Sequence, residues 1–215
     1  VYRAAEEIMT RCSPCLDREE YILVCGTKAR RKRGMVLKKK INVFDYAGDI
    51  MKALDKGVLI TTKADGKVDS MTLGWGTLGI DWSLPVFTAY IRKSRFTKEQ
   101  LEKNPEFTVN VPYGAFDPKI LGVCGSKSGR DMDKAKELGL TLVDPEVISV
   151  PAVKELPLTL ECRVVCVEKQ DTDTMPEEIL KEHYPSEKPT PFGGSLENYH
   201  YAFYGQIVSA YMIED

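Results

Sequence analysis

Residues 58 to 77 read V-L-I-T-T-K-A-D-G-K-V-D-S-M-T-L-G-W-G-T. Strand-forming residues dominate both halves of this stretch, and Asp65 and Gly66 stand between the halves. Asp-Gly between two such runs is a strong hairpin signal, because both residues tolerate the positive φ angles of a tight turn. The stretch therefore predicts two antiparallel strands, Val58 to Thr62 and Val68 to Thr77, joined by the turn Ala64 to Lys67.

The same strand composition recurs along the rest of the chain. The further predicted strands are Pro85 to Arg92, Phe107 to Pro112, Leu158 to Glu168 and Tyr201 to Ile213. Short helices are predicted at 45–57, 97–104, 117–122 and 131–138, the first capped by Asp45 and the second by a capping box that begins at Thr97. Strands and helices do not alternate strictly, so the pattern predicts a mainly β fold, a closed antiparallel barrel of six strands with short peripheral helices, rather than a doubly wound sheet.

The sequence changes character near residue 35. Residues 1–34 combine cysteine-rich and basic pieces without a sustained period, whereas a regular pattern follows Met35. We therefore expect an N-terminal extension, residues 1–34, outside a main domain at 35–215. Its basic tract, 28–33, is best interpreted as a solvated tail, with contact to nucleic acid or anionic lipid as the alternative. Cys12 and Cys15 have zinc-site or redox-pair spacing, but too few further ligands lie nearby, so no metal site is expected.

The composition argues against several classes of function. After the first 40 residues the chain holds 19 basic and 27 acidic residues, a net charge of −8. An acidic body argues against a nucleic-acid groove, and no apolar run approaches the ~20 residues of a membrane-spanning helix. His183 and His200 are too few for multi-histidine metal catalysis. The scattered cysteines, with no signal peptide before them, predict reduced thiols in a cytoplasmic protein.

Two segments have the composition of a phosphate-binding site. Arg92 to Thr97 (R-K-S-R-F-T) stands where a predicted strand ends and a helix begins, so guanidinium groups, hydroxyls and unpaired helix N–H groups converge there. Ser126 to Arg130 (S-K-S-G-R) also precedes a predicted helix. Together they predict a phosphorylated planar cofactor.

A third motif, G-W-G-T-L-G at 74–79, matches the dinucleotide fingerprint in its letters only. The fingerprint requires a helix after its last glycine, and the following residues, I-D-W-S-L-P, cannot form one. These glycines indicate either a strand bend that a flat ligand approaches or a β-bulge.

Several motifs in register resemble those of one known family. They are D-S-M-T-L-G-W-G at 69–76, P-V-F at 85–87, R-K-S-R-F-T at 92–97, F-T-V-N-V-P at 107–112, and G-S-K-S-G-R at 125–130 followed by Asp133 and Lys134. In order and spacing, residues 41 to 215 resemble the flavin reductase-like FMN-binding split barrels, particularly the flavoredoxin group. Residues 1–34 take no part in the resemblance.

The resemblance implies a six-stranded antiparallel Greek-key split barrel that forms a homodimer and holds one FMN per subunit near the dimer interface. By position, the isoalloxazine ring would be lined by Asp69, Ser70, Met71, Thr72 and Trp75. The phosphate would be bound by Ser94, Arg95 and Thr97. The site would be closed by Ser126, Lys127, Ser128, Gly129, Arg130 and Lys134. His200 falls where relatives carry a histidine beside the flavin and is the candidate catalytic residue. The residues alone leave His200 open as a barrel-end histidine bonded to backbone, and Trp75 open as a core residue.

The chain departs from the family pattern at two places. Relatives commonly carry Asn at the position of Asp69, and an ionised carboxylate near the ring would disfavour the anionic reduced flavin and lower its potential. Relatives often read G-D-H-T where residues 198–201 read N-Y-H-Y. The second departure weakens any transfer to the nicotinamide side.

The implied function is an FMN-dependent oxidoreductase that moves electrons from NAD(P)H through bound FMN to a flavin, iron or protein acceptor. The alternative is a flavoredoxin-like electron carrier or FMN-binding protein without its own NAD(P)H reductase activity. A third interpretation is a binding module or pyridoxal-phosphate oxidase on the same type of barrel. The Pro-rich insertion from Thr172 to Asn198 is expected to lie over the flavin face as a lid.

Overall fold

The computed structural model of the protein describes residues 36–186, 189–190 and 193–214. The N-terminal extension with its basic tract and its cysteines lies outside the described residues, so the expectations for it stay predictions. Among the described residues, no helix has both the length and the apolar character needed to cross a bilayer.

The described residues form ten strands. These are β1 (Leu37–Lys40), β2 (Val58–Ala64), β3 (Lys67–Leu73), β4 (Gly76–Asp81), β5 (Leu84–Arg92), β6 (Glu106–Val111), β7 (Leu142–Val143), β8 (Ala152–Val153), β9 (Leu158–Lys169) and β10 (His200–Glu214). Eight form one antiparallel sheet in the order β3-β2-β6-β9-β10-β5-β4, with β1 also paired to β10, while β7 and β8 pair with each other. The prediction of a mainly β, antiparallel fold is confirmed.

The predicted number of six strands is wrong for two reasons. The predicted strand Val68 to Thr77 breaks at Gly74 and Trp75 into β3 and β4, which lie at opposite ends of the strand order. The lysine-rich β1 lacks a strand-like composition and was not predicted. The sheet therefore contains the six predicted segments, one of them divided, and an added strand.

The hairpin between β2 and β3 forms as the sequence predicts. The two strands pair from Val58 opposite Leu73 to Ala64 opposite Lys67. Asp65 has a φ angle of 51° and Gly66 one of 77°, the left-handed conformations that a two-residue turn requires. This register places Asp69 near the turn end of β3, where the cavity described below begins.

The bend between β3 and β4 carries the chain from one end of the sheet to the other. The backbone N–H of Tyr90 donates to the carbonyl of Trp75 at 3.1 Å, which joins the bend to β5. A Cβ atom on Gly76 would lie 2.8 Å from the carbonyl oxygen of Thr88, so only glycine allows β4 to approach β5 this closely.

The described residues also form five α-helices at the periphery of the sheet. They are α1 (Ala47–Lys56), α2 (Phe96–Lys103), α3 (Lys119–Ser126), α4 (Lys134–Leu138) and α5 (Glu177–His183), with 3-10 turns at Val43–Tyr46 and Thr172–Thr174. The predicted caps of the first two helices are wrong. Asn42, not Asp45, caps the turn that leads into α1. Thr97 lies inside α2 and is buried, and Arg95 occupies the N-cap position without a side-chain cap.

The core lies inside the curved sheet. Its largest fully buried side chains come from several strands and include Phe87, Phe107 and Leu160, whereas the buried Tyr211 belongs to a separate cluster with Val143 and Ala152. One buried carboxylate, that of Glu161 on β9, fastens the segment between β7 and β8: it accepts from the backbone N–H groups of residues 146, 147 and 148 and from the Tyr211 hydroxyl, at 2.7 to 3.3 Å. These four donors satisfy the hydrogen-bonding capacity of the buried carboxylate.

Candidate functional site

A small cavity of about 100 Å³ lies where the N-terminus of α2 meets β3 and the loop before α4. Its lining residues are Asp69, Met71, Ser94, Arg95, Phe96, Thr97, Lys127, Ser128, Gly129, Arg130 and Lys134. Ten of these eleven were predicted from the sequence as cofactor-binding residues, and Phe96 is the addition. Segments that are far apart in the chain therefore meet at one place.

The N-terminus of α2 gives the cavity an anion-binding character. Arg95 is extended at the N-cap position, and no side chain caps the first turn, so the first N–H groups of the helix are free to face a ligand. Within the described chain, the hydroxyls of Ser94 and Thr97 have no protein partner and the Arg95 guanidinium has no carboxylate partner. Burial lowers the pKa of Arg95, as expected for a cation without a counter-charge.

A buried ion pair forms another wall of the cavity. The side chains of Asp69 and Lys134 are each only 2% exposed, and Oδ1 of Asp69 lies 3.0 Å from Nζ of Lys134. This oxygen accepts no hydrogen bond of good geometry, so the contact is mainly electrostatic. Burial raises the pKa of Asp69, and the Lys134 charge opposes that rise. Lys134 also donates to the carbonyl of Lys127 at 3.3 Å, which ties α4 to the loop.

Gly129 allows the loop to close over Asp69. A Cβ atom at position 129 would lie 2.3 Å from the Asp69 carboxylate, a distance that no side chain could tolerate. On the outer side, Arg130 forms an ion pair with Glu99 and donates to the carbonyl of Ser94 at 3.3 Å. The guanidinium of Arg130 also lies 5.4 Å from the ring centroid of Phe96. The loop thus closes the cavity with a fixed cation.

Five predicted residues do not line this cavity, and two of them, Trp75 and His200, lie in the second cluster described below. Ser70 bonds to the Thr61 hydroxyl at 2.8 Å, Thr72 donates to the carbonyl of Leu121 at 2.6 Å, and Ser126 donates to that of Gly122 at 2.8 Å. Successive side chains of a strand point to opposite faces, so β3 turns Asp69 and Met71 to the cavity and turns Ser70 and Thr72 away from it. Ser126 is the last residue of α3, which extends further than predicted.

Trp75 and His200 meet in a second cluster, defined here as Trp75, Arg92, His183, Tyr184 and His200. The Trp75 ring centroid lies 4.6 Å from that of His200 and 5.0 Å from that of His183. The Arg92 guanidinium lies 5.6 Å from the Trp75 ring and 5.7 Å from the Tyr184 ring. Arg92 is buried and is joined to His200 in the register of β5 and β10.

His200 is held as a neutral imidazole. Burial lowers its pKa to about 3, and the charges of Arg92, Arg95 and His183 act in the same direction. Tyr184 donates its only hydroxyl proton to Oε1 of Gln170 at 3.2 Å, while its oxygen bonds to Nδ1 of His200. We assign the His200 proton to Nδ1 on the basis of this network, which leaves Nε2 as an acceptor.

Sequence reasoning missed the residues that the insertion contributes. Asn198 accepts from the backbone N–H of Ser94 at 3.0 Å, and its carbonyl accepts from Arg92 at 3.4 Å. Tyr184 packs against His200 from the same insertion. The composition of the insertion did not predict these contacts. The only indication in the sequence was that residue 198 departs from the family pattern. Arg92 was predicted as part of the phosphate-binding segment 92–97, but it does not line the cavity and lies against Trp75 and Tyr184 instead.

The comparisons with known proteins agree with this architecture. Residues 51–215 match the sequence model described as flavin reductase like domain. An uncharacterized protein of Archaeoglobus fulgidus is 35% identical over 99 residues, which are 46% of this chain and 55% of that protein. The chain spans little more than half the length of the curated relatives that it matches, 55% and 58%.

Solved structures with the same fold include a flavoredoxin from Methanosarcina acetivorans, with 28% identity, a TM-score of 0.53, and coverage of 73% of this chain and 67% of that one. An FMN-binding domain of a flavin reductases-like enzyme from Shewanella baltica has 18% identity and a TM-score of 0.55, with coverage of 82% and 78%. The second likeness concerns the fold alone. Because the family match covers more than three quarters of the sequence, this chain belongs to the flavin reductase-like domain family.

Proposed function

We propose that the chain binds FMN and acts as an FMN-dependent oxidoreductase, moving electrons from NAD(P)H to a flavin, iron or protein acceptor. The observation that carries the proposal is the cavity of about 100 Å³ at the N-terminus of α2. Its unpaired cation, free hydroxyls and free helix N–H groups are the donors that a phosphate monoester needs. Membership of the family and the FMN-binding neighbours support the same cofactor.

The residues present fit FMN better than FAD. The cavity has room for one phosphate group, and Arg130 closes its outer side through Glu99 and Ser94. A terminal phosphate can sit inside this closure, whereas the adenylate half of FAD would have to displace Arg130. Extraction of the flavin from purified protein tests this: we expect FMN, and FAD as the main flavin would contradict it.

In this proposal the protein groups bind and orient the cofactor, and bound FMN supplies the hydride and electron-transfer chemistry. Arg95, Arg130 and Lys134 would hold the phosphate charge, and Ser94, Thr97 and Ser128 would donate hydrogen bonds to it. Met71 and the bend at Trp75 would face the ring. His200 would present a neutral acceptor, because its proton is on Nδ1.

The colour of the pure protein is the first test of the proposal. We expect a yellow protein, or an apo protein that takes up FMN from solution with micromolar affinity or better. The controls are inorganic phosphate, which should compete weakly, and riboflavin, which should bind more weakly because it lacks the phosphate. A colourless protein that refuses FMN would overturn the proposal, and the absorption of pyridoxal phosphate would replace it with the third interpretation.

A second candidate is a flavoredoxin-like electron carrier without its own NAD(P)H reductase activity. The 28% identity to the flavoredoxin of Methanosarcina acetivorans favours it. Anaerobic stopped-flow mixing with NADH or NADPH separates the two: bleaching of the flavin within seconds supports the reductase, and none over many minutes supports the carrier.

We further propose that the protein is a homodimer. Ile80 is 71% exposed and Trp82 56% exposed on the β4–β5 hairpin, and β4 is an end strand of the sheet. An apolar hairpin at a free sheet edge is costly to leave in water. Light scattering after gel filtration should give twice the mass of the chain, and the Ile80→Glu variant should shift the mass toward that of a monomer. A cytoplasmic location stays a prediction.

A further inference from the structure

The strongest unexplained feature outside the cofactor cavity is a pair of exposed lysines on one half-buried tyrosine. The Nζ atoms of Lys93 and Lys169 lie 5.7 and 4.3 Å from the ring centroid of Tyr199, so the two ammonium groups are no more than 10 Å apart. We name these three residues the Tyr199 platform. Two like charges converge on one ring instead of spreading into solvent.

The cations of the platform lack counter-charges, unlike their neighbours. Nearby, Lys98 pairs with Glu102 and Arg130 pairs with Glu99. Among the described residues, neither Lys93 nor Lys169 has a carboxylate partner. This occurs in a chain whose sequence after residue 40 carries a net charge of −8. A local excess of positive charge on an acidic body is suited to an anionic ligand.

The platform adjoins the cofactor cavity through the backbone. Lys93 directly precedes Ser94, and its backbone N–H donates to the carbonyl of Tyr199 at 2.9 Å. The next residue, Ser94, is tied to Asn198 at 3.0 Å. A ligand with an anionic group on the platform would therefore lie one residue away from Ser94, which lines the cavity.

From this arrangement we propose that the Tyr199 platform binds the 2′-phosphate of NADPH and makes the protein select NADPH over NADH. The inference rests on the proposed function, because it names the electron donor of that site. A phosphomonoester carries a charge of about −1.5 to −2 at pH 7, and two ammonium groups match it. NADH has no phosphomonoester, so it cannot form this charge pairing with the two lysines of the platform. The small extent of the platform favours a nucleotide phosphate over the wide acidic surface of a protein partner.

Isothermal titration calorimetry with NADP⁺ and NAD⁺ tests the proposal without turnover. We expect the protein to bind NADP⁺ at least about tenfold more tightly than NAD⁺ at low salt, the size of effect that one charge-assisted hydrogen bond gives. The preference should weaken as salt rises, because the platform is exposed. In competition, 2′-AMP should displace NADP⁺, whereas adenosine should not.

The decisive test is the double variant Lys93→Gln/Lys169→Gln. Its matched control is the double variant Lys52→Gln/Lys56→Gln, at exposed positions of α1. Both pairs remove two positive charges. We expect the platform variant to lose the preference, with a ratio below about twofold, and the α1 variant to keep it. Equal binding of both nucleotides by the starting protein, or a preserved preference in the platform variant, would overturn the proposal. Equal binding would point instead to an acidic protein partner. Flavin absorbance of the same samples reports separately on whether FMN is bound.

Discussion

At the scale of single residues, Asp69 gives the cavity its mixed character. It places a carboxylate among cations, and its charge is opposed by Lys134 at 3.0 Å. Removing one partner of a buried pair leaves the other uncompensated, which costs more than the pair itself contributes. Any substitution at position 69 therefore acts through Lys134 as well.

We predict that Asp69→Asn raises the midpoint potential of the bound flavin. The variant removes a negative charge from the wall of the cavity, so the anionic reduced flavin is disfavoured less, by about 30 mV, or about 1.4 kcal/mol for a two-electron couple. Spectroelectrochemical titration measures the shift. Lys134→Met should move the potential the opposite way, and an unchanged or lowered potential in Asp69→Asn would refute this placement of the charge.

Gly129→Ala should weaken FMN binding by about tenfold or more, since a Cβ atom would lie 2.3 Å from Asp69 and push the loop outward. Fluorescence titration of the apo protein with FMN gives the affinity. Gly122→Ala is the matched control: it adds the same methyl group to α3, where no atom lies within 4 Å, and should stabilise the helix by about 0.5–1 kcal/mol. Equal FMN affinities in the two variants would contradict the prediction.

The low pKa of His200 predicts a loss of stability in acid. The unfolded chain binds a proton on this residue below about pH 6.5, whereas the folded chain binds one only near pH 3. Stability is therefore lost as the pH falls through this window, by about 2 kcal/mol between pH 7 and 4.5. Urea unfolding at both values measures it. The His200→Gln variant should lose less over the same interval; an identical loss would mean that His200 titrates normally.

At the scale of elements, the sequence predicted correctly those elements whose contacts join residues that are close together in the chain. The Asp65-Gly66 turn and its two strands depend on φ preferences that a short window contains. The division at Gly74 and the start of α2 depend on which distant strands pair, and no local pattern records that. The uncapped first turn of α2 is one such case. Threonine is a common helix cap, but Thr97 lies inside the helix and is buried.

Glu161→Gln should destabilise the protein by about 2–4 kcal/mol, because an amide offers one acceptor oxygen where the carboxylate bonds three N–H groups and the Tyr211 hydroxyl. Chemical denaturation gives the free energy of unfolding. Glu137→Gln, at an exposed position of α4, should be close to neutral. A neutral result at position 161 would show that the bonds to the segment 146–148 contribute little.

At the scale of the whole molecule, the sequence predicted the class of fold and most of the cavity, because the motifs that form it keep their order and spacing. It could not predict how the insertion packs, since Tyr184 and Asn198 make contacts that depend on the finished sheet. The sequence also did not predict which side chains of β3 face the cavity. Ser70 and Thr72 are close to Asp69 in sequence, but their hydroxyls bond to Thr61 and to the carbonyl of Leu121.

A protein that begins at residue 36 should fold, bind FMN and melt at the same temperature as the full chain. In the part of the chain that the structure describes, residues after this point form both a core and the cavity. Differential scanning calorimetry and flavin content provide the comparison. A truncated protein that aggregates or loses its flavin would show that the N-terminal extension is part of the domain.

The chain has only two tryptophans, and they have different neighbours. Trp82 is 56% exposed at the tip of a hairpin and lies 5.9 Å from the Tyr204 ring, whereas Trp75, 40% exposed, lies against His200 and Arg92. With Trp82→Phe, the remaining indole would report by its emission alone on events beside the imidazole. One conservative substitution would therefore make tryptophan emission a specific optical reporter on the cluster around His200.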